Sequence, residues 1–228
     1  MRTAYHPAFG ERVSYSFVNL PDSADGQVRE TCNEVIRLIR HDAIFSPLVR
    51  EDAQHYLKAG QGNAIEGTWK MREKMRFQND EKTAAETDIQ DPRLADVIEV
   101  LIRPHDQAQL IRLRDIGFED CDGYAMYAGC ILTALGIPVA LVTVAADAEA
   151  PDRYSHVYLA AYPDGPDGRR IPLDFSHGKH IGWECPNFGR KKEWPVWVTP
   201  SESFWRCAGP VAAIFGAYFG ISYLARAA

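Results

Sequence analysis

Apolar and polar positions along this chain of 228 residues follow two periods, and the elements can be read from them. Val13-Ser14-Tyr15-Ser16-Phe17-Val18 alternates at period two and predicts a strand. After a loop over Pro21 to Gly26, the apolar residues Val28, Cys32, Val35, Ile36 and Ile39 share one face of a helix with a single buried stripe. A second helix is predicted over Leu48 to Leu57, ended by Ala59-Gly60-Gln61-Gly62-Asn63. A third is predicted over Ala64 to Phe77, with Ile65, Trp69, Arg72 and Arg76 on neighbouring turns. Gln78 to Pro92 is polar and charged and reads as a surface loop. Leu94, Val97, Ile98 and Leu101 give a short helix over Leu94 to Ile102, stopped by Pro104.

The second half is more strongly patterned. Asp122 to Leu135 is rich in Ala, Met, Leu and Tyr without proline, and Gly136-Ile137-Pro138 supplies a left-handed cap and a stop, so a helix of about four turns is predicted. Cys121, Ala125, Ala128, Leu132 and Leu135 form its inward stripe. Val139 to Ala146 is a continuous apolar run, the mark of a buried strand, and a second strand is predicted from about Ser155 to Tyr162. Pro163-Asp164-Gly165-Pro166-Asp167-Gly168 is a turn, and Arg170 to Asp174 is the returning strand. With the turn centred on Gly165, His156 falls opposite Asp174 on one face of the ribbon, within reach of a side-chain hydrogen bond. A slip of one residue would separate them.

The last apolar stretch, Cys207 to Ala225, carries no charged residue and contains Gly216-Ala217-Tyr218-Phe219-Gly220, a GxxxG spacing. Pro210, three glycines and several alanines make it only moderately apolar, so the expected element is an aromatic-rich docking helix in preference to a membrane span. Protein assembly or membrane contact is assigned to Ala208–Ala225.

Charge and cysteine count restrict the partners. A net charge of -6 argues against nucleic acid. No basic segment followed by an apolar one stands near the N-terminus, which predicts no secretory signal. Five cysteines without a disulfide-framework or metal-type spacing suit a reducing, cytoplasmic setting. His177, His180 and Cys185 are arranged as His-x2-His-x4-Cys, which fits no usual zinc site and reads as a loop bordering a cleft. No metal and no cofactor are expected.

Cys121 stands where a helix begins, and unpaired backbone N–H groups and the positive end of the helix dipole favour thiolate there. The carboxylates of Asp120 and Asp122 oppose that unless they cap the helix. A thiol, an imidazole to take its proton and a carboxylate to orient the imidazole are the parts of a cysteine triad. They occur here in the order Cys121, His156, Asp174. For the second oxyanion donor, Gln107, Gln109 and Trp69 are all available, and the sequence selects none.

Asp120-Cys121-Asp122-Gly123-Tyr124-Ala125, Leu135-Gly136-Ile137-Pro138 with its apolar strand, Ser155-His156-Val157-Tyr158 and Pro172-Leu173-Asp174 together resemble the core of the transglutaminase-like superfamily, in particular its small bacterial and phage-encoded members. The similarity covers roughly Ala64 to Pro186. It implies an α+β fold with a papain-like core, in which a Cys-bearing helix packs on an antiparallel sheet carrying His and Asp. It also implies thioacyl chemistry on a peptide or amide substrate, with Cys121, His156 and Asp174 as the catalytic residues. Gly123 departs from the family pattern, which has Asp or Glu there. The expected organisation is an N-terminal strand and helical lead-in over 1–62, a catalytic domain over 63–200 and the apolar helix over 201–228. The rival expectation is a non-catalytic phage or prophage assembly protein that keeps the triad as a relic, and a phage particle is then the alternative location.

Overall fold

The apolar run after Pro138 forms the middle of a four-stranded sheet in the computed structural model, which describes residues 2–6, 11–79, 82 and 98–197. The strands are β1 (Arg2–His6), β2 (Glu11–Asn19), β3 (Met75–Phe77), β4 (Ile98–Ile102), β5 (Gly117–Glu119), β6 (Val139–Val144), β7 (His156–Ala161), β8 (Ile171–Leu173) and β9 (Lys191–Pro195). The α-helices are α1 (Ala24–Phe45), α2 (Pro47–Ala59), α3 (Ala64–Trp69), α4 (Pro104–Arg114) and α5 (Cys121–Ala134). The fold is mixed α+β. Met1–Val196 form one compact unit, and Trp197–Ala228 are a second. Nothing breaks at residue 62: α1 lies along α5, and Cys32, Val35 and Ile39 share one core with Ala125, Ala128 and Leu159. The apolar segment expected over 201–228 lies outside the described residues. Among those described, no helix is long and apolar enough to cross a membrane.

The main sheet runs β8-β7-β6-β9, all antiparallel, so β6 is covered on both edges and buried along its whole length. β9 was not expected from the sequence. β1, β2 and β4 make a separate antiparallel sheet, and β3 and β5 pair in parallel.

Two sequence expectations are corrected. The helix predicted over Leu94 to Ile102 is strand β4 across Ile98–Ile102, where each residue pairs with β2 from Asn19 to Tyr15. A short apolar run is compatible with either element, and the neighbouring strand decides it. Pro104 begins the next helix instead of ending one, because the first turn has no use for the missing N–H. The helix over Ala64 to Phe77 stops at Trp69, continues as a 3-10 turn over Lys70–Lys74 and becomes β3.

Helix α5 is buried on every side from Asp122 to Leu132, a wider apolar surface than one stripe implies. The other four α-helices and β7 surround it. Gly129 permits a close approach of α1 and β7, since a Cβ there would stand 2.9 Å from Ile39 of α1 and 3.4 Å from Leu159 of β7. The helix ends as its sequence indicates, with Gly136 at φ 77°. Ser46 both caps α2, accepting from the Val49 N–H at 3.2 Å, and meets His105 Nδ1 at 2.9 Å. Beside it Asp42, wholly buried, accepts from the Arg103 guanidinium at 2.7 to 3.0 Å and from the His105 N–H at 3.0 Å, pinning the end of α1 to the β4–α4 junction.

Candidate active site

Asp120 is the N-cap of α5, its Oδ1 accepting from the Asp122 N–H at 3.2 Å, and this places Cys121 at the first position of the helix. The strand pairing then sets the dyad. β7 and β8 pair Leu159 with Leu173, Ala160 with Pro172 and Ala161 with Ile171. Their register is shifted by two residues from that expected of a turn centred on Gly165, so Asp174 lies diagonal to His156 instead of directly across. The shift preserves which residues share a face, and His156 Nε2 and Asp174 Oδ2 still meet at 2.7 Å. The two side chains are 7% and 0% exposed.

Asp174 is held by its own downstream chain. Its Oδ1 accepts from the His177 N–H at 2.9 Å and from Ser176 Oγ at 3.2 Å, and its carbonyl accepts from the Gly178 N–H at 2.9 Å. Burial alone would raise its pKa. The bond and charge of His156, with the His177 and Ser176 bonds, outweigh burial and leave the carboxyl below its ordinary range, hence ionised. The His156 Nε2–H therefore donates to it, which leaves Nδ1 as the free ring nitrogen. His156 is also clamped between rings, edge-on to His177 at 4.9 Å and stacked on Tyr158 at 6.1 Å between centroids. Sequence spacing linked His177 only to a metal-like cluster. Here it packs edge-on to the imidazole, and Phe77 in turn meets the His177 ring edge-on at 5.2 Å.

Cys121 and His156 both line a cleft of about 250 Å3, together with Asp120, Asp122, Val157, Leu141, Thr143, Tyr154, Ser155, Glu99 and residues of α1. The backbone N–H of Val157, next to His156, reaches the sulfur and favours thiolate. Burial and then the charge of Asp120 act the other way and prevail, with Glu99 and Asp174 adding to them, so the thiol pKa is raised. The thiolate expected from the helix dipole is thus not the resting state. The acidic neighbours cluster tightly, with carboxylate atoms of Glu99, Asp120 and Asp122 within 4.8 Å of one another.

Glu119 carries no motif signal and proves central. It is buried, its pKa lies well above the usual carboxylate range through burial and then the Asp120 charge, and its Oε1 accepts the Ile102 N–H at 3.0 Å. A Cβ at Gly123 would fall 2.4 to 2.5 Å from its side chain. Glycine stands at 123 because the space is taken by a carboxyl arriving from residue 119.

The remaining candidates separate. Gln107 is buried against Met75 and Gly117, Gln109 is exposed, and Trp69 packs on Phe175 with Arg72 over its other face; none of the three lines the cleft. His177 and His180 do not gather around Cys185. Instead Cys185 comes to the dyad, with donor atoms of His156, Asp174 and Cys185 all within 4.8 Å of one another. Alternation along β7 explains this: Leu159 faces α5, so His156 and Tyr158 start from the other face, on the side of Glu184, whose carboxylate accepts from Tyr158 OH at 2.6 Å. His156 reaches the cleft because it is the first residue of the strand, at the sheet's rim.

Comparison of the chain with protein-family models, with curated proteins and with solved structures returned no match.

Proposed function

We propose that this protein is a cysteine-dependent acyl hydrolase, a peptidase or amidase, built on a papain- or transglutaminase-like core. The observation that carries the reading is the buried 2.7 Å pairing of His156 with an ionised Asp174, at the rim of a cleft that also holds a thiol at the head of a helix.

Because burial and Asp120 keep the thiol protonated, proton transfer accompanies attack. His156 Nδ1 takes the Cys121 proton as the sulfur forms its bond to the substrate carbonyl carbon, and the carbonyl electron pair moves onto oxygen. Asp174 fixes the ring tautomer and stabilises the imidazolium. Backbone N–H groups at the start of α5 that the helix and its cap leave unused are the donors for the developing oxyanion. Collapse of the intermediate breaks the C–N bond, the imidazolium protonates the leaving amine, and a thioester remains on Cys121. Water, deprotonated by His156, then releases the acid. Hydrolysis is preferred over cross-linking because none of the described residues lining the cleft identifies an amine site.

The test uses a chromogenic aryl ester with intact-protein and peptide mass spectrometry. The expected result is one acyl group per chain on Cys121, lost in Cys121→Ala and accumulating slowly or not at all in His156→Ala. Acylation that maps to Cys185 overturns the assignment of the nucleophile. Turnover of the ester at the wild-type rate by Cys121→Ala overturns the enzyme.

A further inference from the structure

Cys185 is a second sulfur beside the dyad, and the triad chemistry does not use it. We propose that His156 Nε2, Asp174 Oδ2 and Cys185 Sγ form a site for a thiophilic divalent cation, zinc being the best fit, and that its occupation disables the imidazole.

The donor set is imidazole, carboxylate and thiolate, the combination a borderline-soft ion selects. Around one tetrahedral zinc, with bonds of about 2.0–2.3 Å, donor atoms stand about 3.3–3.8 Å apart. Ligand atoms of His156, Asp174 and Cys185 already lie within 4.8 Å of one another, so Cys185 approaches by at most about 1.5 Å, while the His156–Asp174 pair, at 2.7 Å, opens by about 0.6–1.1 Å to admit the ion. Two of the donors are fixed in advance. His156 is held by the rings of His177 and Tyr158, and Asp174 keeps its Oδ1 on the His177 N–H and Ser176 Oγ, the kind of outer support that orients a metal-binding carboxylate. Cys185 is half-buried in the irregular segment between β8 and β9, its thiol donating to the Pro186 carbonyl at 3.6 Å, a bond it gives up on ligating. A fully buried carboxylate also gains from a cation in the same place.

Binding balances as follows. The Cys185 thiol gives its proton to solvent and ligates as thiolate. His156 moves its ring proton from Nε2 to Nδ1 and offers the Nε2 lone pair, and Asp174 exchanges the Nε2–H for the ion. With Nδ1 now protonated, the ring cannot accept the Cys121 proton. The inhibitory half of this proposal rests on the hydrolase reading, whereas the binding half does not.

Full-length protein titrated with Co2+ as a spectroscopic stand-in should take up one equivalent with a thiolate-to-cobalt charge-transfer band. The band should disappear in Cys185→Ser and in His156→Ala and persist in Cys121→Ser, and Zn2+ should displace the cobalt. Circular dichroism of each variant excludes misfolding as the cause of a lost band. No band in wild type, or a band that survives Cys185→Ser, overturns the site. For the consequence, the Zn2+ concentration that halves ester turnover should rise at least tenfold in Cys185→Ser, and an unchanged value overturns inhibition through this site. A cobalt band in a protein without ester turnover leaves the metal site standing and removes the hydrolase.

Discussion

Gly123→Ala probes the packing at the head of the nucleophile helix, and its sign should depend on residue 119. In an exposed helix interior, Gly to Ala gains about 1 kcal/mol. Here the new Cβ would stand 2.4, 2.5 and 2.5 Å from the Cγ, Cβ and Cδ of Glu119, a buried side chain anchored on the Ile102 N–H and unable to swing into solvent. Overpacking of this kind costs about 1–3 kcal/mol, so the net change is a loss of up to about 2 kcal/mol. For a chain of this size that lowers Tm by up to about 8 °C. In a Glu119→Ala background the obstruction is gone and the same substitution should stabilise by about 1 kcal/mol, although Glu119→Ala itself costs about 1–3 kcal/mol by orphaning the Ile102 N–H. Four proteins measured by urea denaturation complete the cycle, with an expected coupling of about 1–3 kcal/mol. A stabilising Gly123→Ala in the wild-type background, or no coupling, would refute the account of why glycine occupies this position.

Two further outcomes follow from the electrostatics. Arg103→Met strands the buried Asp42 carboxylate and should cost about 3–5 kcal/mol at pH 7, most of it recovered in Arg103→Met/Asp42→Asn; a loss under about 1 kcal/mol contradicts the pairing. Burial raises the Asp42 pKa, but Arg103, His41 and the His105 N–H lower it further, to a net value below normal. Its contribution is therefore complete above the unfolded carboxylate range near about pH 4 and is lost as pH falls through the lower folded value, so Asp42→Asn should flatten the acid limb of a stability–pH curve. At Cys121, Asp120→Asn keeps the helix cap while removing the largest charge opposing thiolate, so iodoacetamide should alkylate Cys121 several-fold faster at pH 8. Site-resolved mass spectrometry measures this against the buried Cys32 and Cys130, and an unchanged rate counts against the Asp120 charge.

The sequence was most legible where local pattern and burial agree. Val139–Val144 declares a strand covered on both faces, and Asp120 with Gly136 marks the two ends of α5 within a residue. The His156–Asp174 pairing was legible for a subtler reason, since a strand alternates with period two and an even shift in register leaves both side chains on one face. What stayed hidden depended on partners distant in the chain. Ile98–Ile102 becomes a strand only because Tyr15–Asn19 lie beside it. Glu119 looks like one more acid in an acidic run until the Ile102 N–H and the bare Cα of Gly123 give it a place. Cys185 was linked by spacing to His177 and His180, whereas folding delivers it to a strand some thirty residues earlier.

Helix α5 is enclosed by four helices and a strand drawn from residues on both sides of it in the chain. Until β7 closes over that helix, the sulfur at its tip has no Val157 amide beside it and no imidazole within its cleft. A ribosome-bound or half-assembled chain thus displays an ordinary cysteine. The surroundings of that sulfur, the acidic neighbours and the Val157 amide alike, belong to the finished architecture and to no single segment of the chain.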